Sequence, residues 1–204
     1  MFKKYKHIAL LIIILLLLTA TSLYAQQRYE LTTLRNTNLE RIELAKSQLG
    51  VREEKNPAQI RKYLASVNIY SNAAWCQAFQ FWLMDSICNK LKIVNPLPQS
   101  GLAISSYNYA KKVGIRTQFI PQAGDLLVWK TEGKWTGHVA LIVQVKSEKS
   151  VITIEGNTSS KSVRTGGAVE RKERLVNHPI GKLLVYGIVG FNSQNEQVLN
   201  GKTR

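Results

Sequence analysis

Residues 73–91 read AAWCQAFQFWLMDSICNKL, and how this stretch is read decides the fold. Trp75, Ala78, Phe79, Trp82 and Ile87 recur at helical spacing and mark a broad apolar face, as expected of a buried helix. Cys76 falls in the first turn and Cys88 near the far end. If one helix carries both, their Cα atoms lie about 18 Å apart, far beyond disulfide reach. The aromatic residues and Cys88 read as core. Cys76, at the helix start, reads as a candidate nucleophile.

Toward the N-terminus, Leu39, Ile42, Ala45 and Leu49 form one helical stripe over 38–49, and Gly50 is placed to stop that helix in a left-handed cap. Asn56-Pro57 reads as a cap and first-turn proline for a second helix reaching about Val67, with Ile60 and Leu64 on its inner face. Before these lie 12 polar, unpatterned residues, 26–37, read as a linker. The first 25 residues have the form of an export signal: Lys3, Lys4 and Lys6, then a mostly aliphatic run from Ile8 to Ala20, then Leu23-Tyr24-Ala25 as a small-residue cleavage site. A retained membrane anchor is the alternative reading. Cleavage would leave 179 residues, 26–204, the size of one domain.

Toward the C-terminus, Ser100 is placed to cap a fourth helix carrying Leu102, Ile104, Tyr107 and Ala110, with Gly114 to end it. After Pro121 and the turn Ala123-Gly124-Asp125 the periodicity changes to that of strands: LLVWK (126–130), HVALIVQVK (138–146), SVITIEG (150–156), GGAVERKE (166–173) and KLLVYGIVGF (182–191). Short polar joins predict an antiparallel meander, followed by a polar tail from Asn192. The expected fold class is α+β, with N-terminal helices packed on an antiparallel β-sheet or half-barrel.

The chain carries a formal net charge of +15; the three signal lysines are unaccompanied by acids, so +12 remains after cleavage. For an exported protein this excess favours contact with an anionic envelope surface, or simply a solvated basic exterior. The interleaved aromatic and basic pattern of a nucleic-acid groove is absent, so no nucleic acid is expected. Two cysteines and two histidines outside the signal form no metal-ligand spacing, and no metal or other cofactor is expected. Both cysteines stay free, and a free thiol in an oxidising compartment is a liability unless it is buried or used.

A thiol needs help to become a nucleophile near neutral pH. At a helix start, unsatisfied backbone N–H groups and the positive end of the macrodipole favour a thiolate, and a neighbouring imidazolium favours it further. His138 is the candidate base, because His7 leaves with the signal and His178 sits in a polar loop. Glu155 or Asn157, on the following strand, would orient the ring; alternation puts both on one face if the strand runs through them. The backbone N–H of Cys76 could stabilise a developing oxyanion.

These segments resemble a known family. WCQAFQFW (75–82) resembles the nucleophile helix of CHAP domains, the cysteine, histidine-dependent amidohydrolase/peptidases, which are papain-like and related to NlpC-type peptidases. AGDLLVWK (123–130) followed by TGHVALIVQV (136–145) resembles their Gly-Asp strand and His-bearing strand, and TIEGN (153–157) their closing Glu-x-Asn. SQLGVREEKNPAQIRKYL (47–64) is similar to the leader helices of exported members. The resemblance spans about residues 38–191. It implies hydrolysis of peptidoglycan amide bonds, either between the sugar lactate and the first alanine or within stem or cross-bridge peptides. Carried over, Cys76 would be nucleophile, His138 base and later acid, Glu155 the orienting group and Asn157 a supporting polar residue, with Asp125 structural. A non-catalytic wall-binding module and a cysteine transpeptidase or other acyl transferase are the competing functions. An inhibitor or immunity partner is not legible.

Overall fold

A computed structural model of the chain describes residues 2–113, 115–118, 120–158 and 167–191. Among the described residues, four helices precede the sheet: α1 (Phe2–Ser47), α2 (Pro57–Ser66), α3 (Cys76–Leu91) and α4 (Ser105–Val113). Six strands follow: β1 (Arg116–Gln118), β2 (Leu126–Thr131), β3 (Gly137–Val145), β4 (Ser150–Thr158), β5 (Ala168–Leu175) and β6 (Leu183–Gly190). The α+β expectation holds, and the sheet is an open, wholly antiparallel one in the order β1-β6-β2-β3-β4-β5.

Three readings are corrected here. Residues 26–37, read as an unpatterned linker, continue α1 without a break. No glycine or proline occurs between Phe2 and Leu49, so nothing in that polar stretch interrupts helical backbone. Ser100 does not start the fourth helix: its hydroxyl accepts from the Leu102 N–H at 3.2 Å, a local turn, and α4 begins at Ser105. The meander holds only from β2 to β5. β6 then returns to pair with β2, with the short β1, which sequence periodicity did not reveal, outside it.

That return has a packing cause. β2 is buried along nearly its whole length, whereas β5 alternates half-buried with exposed residues after its first two positions. The apolar β6 therefore gains more by completing the central β2, and the charged β5 suits a sheet edge. Gly50, with φ +85°, ends the α1 region as expected. Asn56 precedes α2, but its side-chain oxygen accepts from the Arg52 N–H at 3.1 Å, closing the turn before the helix instead of capping it. Gly114, Gly166 and the tail from Asn192 lie outside the described residues.

Alternation along the strands builds two cores. Leu126, Val128, Val139, Leu141 and Ile154 pack with the helices, against Trp75, Phe79, Leu83 and Met84. Leu127, Trp129, Ala140, Ile142 and Val151 form a smaller cluster on the opposite face with Val176, Leu183 and Ile188. Tyr63, Trp75, Phe79 and Trp82 form an aromatic cluster joining α2 to α3, with Tyr63 to Trp82 centroids 4.9 Å apart. Among the described residues, no helix is long and apolar enough to cross a membrane.

Candidate functional site

Cys76 is the first residue of α3, and only 4% of its surface is exposed. Its helix start is seated by close packing: a side chain at Gly156 on β4 would place its Cβ 2.7 Å from the Trp75 ring and 2.8 Å from Phe79 Cβ. Only a glycine lets α3 approach β4 this nearly. His138 lies at the start of β3, opposite Trp129 on β2, and is 1% exposed.

The structure brings Cys76, His138 and Glu155 together. His138 Nε2 lies 2.9 Å from Glu155 Oε2, and Cys76 is near enough to the ring to act on its protonation. Burial alone would push the His138 pKa down, but the interaction with Cys76, then the bond and charge of Glu155, raise it to about 9. Glu155 is fully buried. Burial would raise its pKa, yet hydrogen bonds from Arg174 and His138 and their charges lower it to about 2. At neutral pH the site thus holds an imidazolium between a sulfur and a carboxylate anion.

Asn157 behaves differently from Glu155. The β4–β5 register shifts between Glu155 and Thr158, and Asn157 adopts φ +56°. Simple alternation through 155–157 therefore fails, because the bulge turns the chain. Glu155 meets His138, while Asn157 helps to line a cleft of about 930 Å³. The cleft runs along α2 and residues 69–74, with Ile60, Leu64 and Ile69 as apolar wall and Glu53, Glu54 and Arg61 as charged wall. Cys76 and His138 are not among its walls, but Ala73 and Ala74 are, and they lead directly into Trp75-Cys76. Trp75 Nε1 donates to Glu53 Oε1 at 2.5 Å, tying the cleft wall to the residue before the sulfur.

Asp125 is 2% exposed; its carboxylate accepts from the Gln122 N–H at 2.9 Å and acts on the buried Arg41, in keeping with a structural place. Cys88 is 1% exposed, and burial pushes its thiol up to about 12. His178 is exposed, with Nδ1 2.9 Å from Asn177 Oδ1. Among the described residues, no group of three or more His, Cys, Asp or Glu side chains is placed to hold a metal ion.

Three contributors escaped the sequence reading: Arg174, Thr153 and Trp129. Arg174 grips Glu155 through Nε to Oε1 at 2.7 Å and Nη2 to Oε2 at 2.8 Å. Thr153 Oγ1 donates to Oε1 at 2.7 Å. The Trp129 ring lies 5.9 Å from that of His138. The one signal in sequence was the charged alternation Glu170, Lys172, Arg174, which marks a strand face without saying what it meets.

Residues 68–157 match the family model of the CHAP domain, a span that contains Cys76, His138, Glu155 and Asn157. CHAP domains are in general hydrolases that act on peptidoglycan. Among solved structures, the chain is similar to "The crystal structure of Ly7917" at 14% identity and TM-score 0.45, with 74% of this chain and 61% of that one covered. It is also similar to "The crystal structure of Ly7917 with the hydrolyzing product of MDP", at 16% identity and TM-score 0.44, covering 76% and 62%. The chain thus spans about three fifths of the length of these structures. No curated protein matches it. Over residues 68–157 the chain is similar to the CHAP domain family.

Proposed function

We propose that the protein is an exported cysteine hydrolase of papain-like architecture that cleaves amide bonds of peptidoglycan. The observation that carries this reading is the buried sequence of contacts from Cys76 through His138 to Glu155, all within the segment matched to a family of peptidoglycan hydrolases. Glu155 occupies Nε2, which leaves Nδ1 as the ring nitrogen free to serve the sulfur.

In the proposed reaction the Cys76 thiolate attacks the carbonyl carbon of the scissile amide. The oxyanion is held by the Cys76 backbone N–H at the start of α3. The His138 imidazolium gives its proton to the departing amine as the C–N bond breaks, leaving a thioester. His138, now neutral, takes a proton from water as the oxygen attacks the thioester; the C–S bond breaks, the acid is released, and the Cys76 thiolate is restored beside the imidazolium. Glu155 keeps the ring in place and its charge compensated throughout, and Asn157 is a polar wall for the peptide. The cleft beside α2 has the size of a peptide site. Residues 1–25 serve as export signal, 38–191 as the hydrolase domain, and the basic mature surface prolongs contact with the anionic envelope.

The test is incubation of purified peptidoglycan with residues 26–204 and with its Cys76→Ala and His138→Ala variants, reading new amino groups and released fragments by mass spectrometry. Release by the parent that drops at least about 10³-fold in each variant is expected. Equal release by Cys76→Ala removes the sulfur from the mechanism, and binding without release by the parent indicates a wall-binding module instead.

A further inference from the structure

We infer that Arg174, on β5, is a positioning residue of this site: its guanidinium fork fixes the plane and the charge of Glu155, and through Glu155 the ring of His138. This rests on the reading of Cys76 and His138 as the reacting pair. An ionised carboxylate offers about four acceptor positions, and four donors reach Glu155. Oε1 receives Arg174 Nε at 2.7 Å and Thr153 Oγ1 at 2.7 Å; Oε2 receives Arg174 Nη2 at 2.8 Å and lies 2.9 Å from His138 Nε2. Two parallel bonds from one rigid fork define a plane, which a single ammonium cannot do.

The reach of Arg174 is specific. In the β4–β5 register Lys172 stands opposite Thr153, nearer to Glu155, and Arg174 stands opposite Val151. Lys172 is instead engaged by Glu170, and the longer Arg174 runs along β4 to the carboxylate. Trp129 braces both partners. Its ring lies 6.0 Å from the Arg174 guanidinium carbon and 5.9 Å from the His138 ring, and its Nε1 donates to the His178 carbonyl at 3.4 Å.

The charged and titratable groups acting on Glu155 are Arg174 from β5 and His138 from β3; Cys76 from α3 acts on His138. Without the guanidinium, a carboxylate with no exposed surface would have the imidazolium as its one remaining counter-charge among the described residues. Desolvation would then favour its protonation at higher pH. Protonated, it no longer holds His138 as an anion does.

The experiment compares the parent protein with Arg174→Gln and Arg174→Lys, measuring kcat and KM on soluble muropeptides across pH and the imidazole ¹⁵N resonances of His138. For Arg174→Gln, kcat falls about 10²-fold or more at nearly constant KM. The acid limb of kcat/KM moves up by about one pH unit or more, and His138 changes ring state at a higher pH than in the parent. Arg174→Lys restores the acid limb, which depends on charge, but not kcat, which depends on the fork. A folded Arg174→Gln protein whose kcat, acid limb and imidazole spectrum match the parent overturns the inference. Should that variant not fold, full kcat in Arg174→Lys overturns it instead. The ¹⁵N spectrum needs no substrate, so failure of the parent to hydrolyse muropeptides would count against the proposed function and leave Arg174 to be judged by the spectrum.

Discussion

With no exposed surface, the Glu155 carboxylate stays ionised because Arg174 and His138 together supply more than its burial costs. This coupling predicts a pH window of stability. His138 is raised from 6.5 to about 9, so the folded state binds that proton more tightly; the stability gained is full below about 6.5 and lost as pH rises toward 9. Glu155 is lowered from 4.5 to about 2, so its contribution is full above about 4.5 and lost as pH falls toward 2. Glu155→Gln should therefore lower the melting temperature most between about pH 4.5 and 6.5, with the gap to the parent closing on both sides; calorimetry at a series of pH values checks this, and a gap independent of pH would oppose it. The same variant should lower kcat by about 10²–10⁴-fold, because an amide orients the ring without stabilising its charge. Read from residue type and spacing alone, Glu155 and Asn157 were alternative candidates two residues apart, although the family resemblance favoured Glu155 as the orienting group. The bulge after Glu155, a property of β4 paired with β5, separated them.

At the scale of elements, the site exists because the start of α3 lies against the end of β4. Gly156 permits that contact, since any Cβ there meets the Trp75 ring and Phe79 within 3 Å. Gly156→Ala is expected to push the first turn of α3 away, at a cost of about 1–3 kcal/mol in unfolding free energy, and to lower activity beyond the loss of folded protein, because Cys76 is on that turn. Urea unfolding monitored alongside alkylation of Cys76 by iodoacetamide separates the two effects; unchanged stability and alkylation would show that the contact is loose. The helix 76–91 and four of the five expected strands were legible almost to their ends, because strong periodicity and burial act locally. β1 was not, being three residues long and held by pairing with β6.

Across the molecule, Arg41 ties the end of α1 to the turn before β2 and to the last described residues. It is fully buried; its guanidinium donates to the Gly124 carbonyl, lies 5.0 Å from the Phe191 ring and faces Met84 Sδ at 3.8 Å. Burial brings its pKa down to about 10, with the Asp125 charge opposing. Arg41→Leu should leave Asp125 buried without that counter-charge and destabilise the fold by about 3–5 kcal/mol. Chemical unfolding checks the loss, and kcat per folded molecule should hold, since Arg41 makes no contact with Cys76, His138 or Glu155. Nothing in the helical stripe of residues 38–49 signalled a buried arginine, because its neighbours come from residues far along the chain.

The amino-acid sequence by itself determined most of the elements and the reactive residues they carry: an apolar helix opening on Cys76, strands bearing His138 and Glu155, and free thiols. Periodicity, capping and residue type act over a few neighbours, so a linear reading reaches them. Only the tertiary structure decided strand order, the return of β6 to β2, the division between Glu155 and Asn157, and the grip of Arg174. Each depends on register and on which faces are buried together, and those are set by packing between segments that sequence distance does not relate.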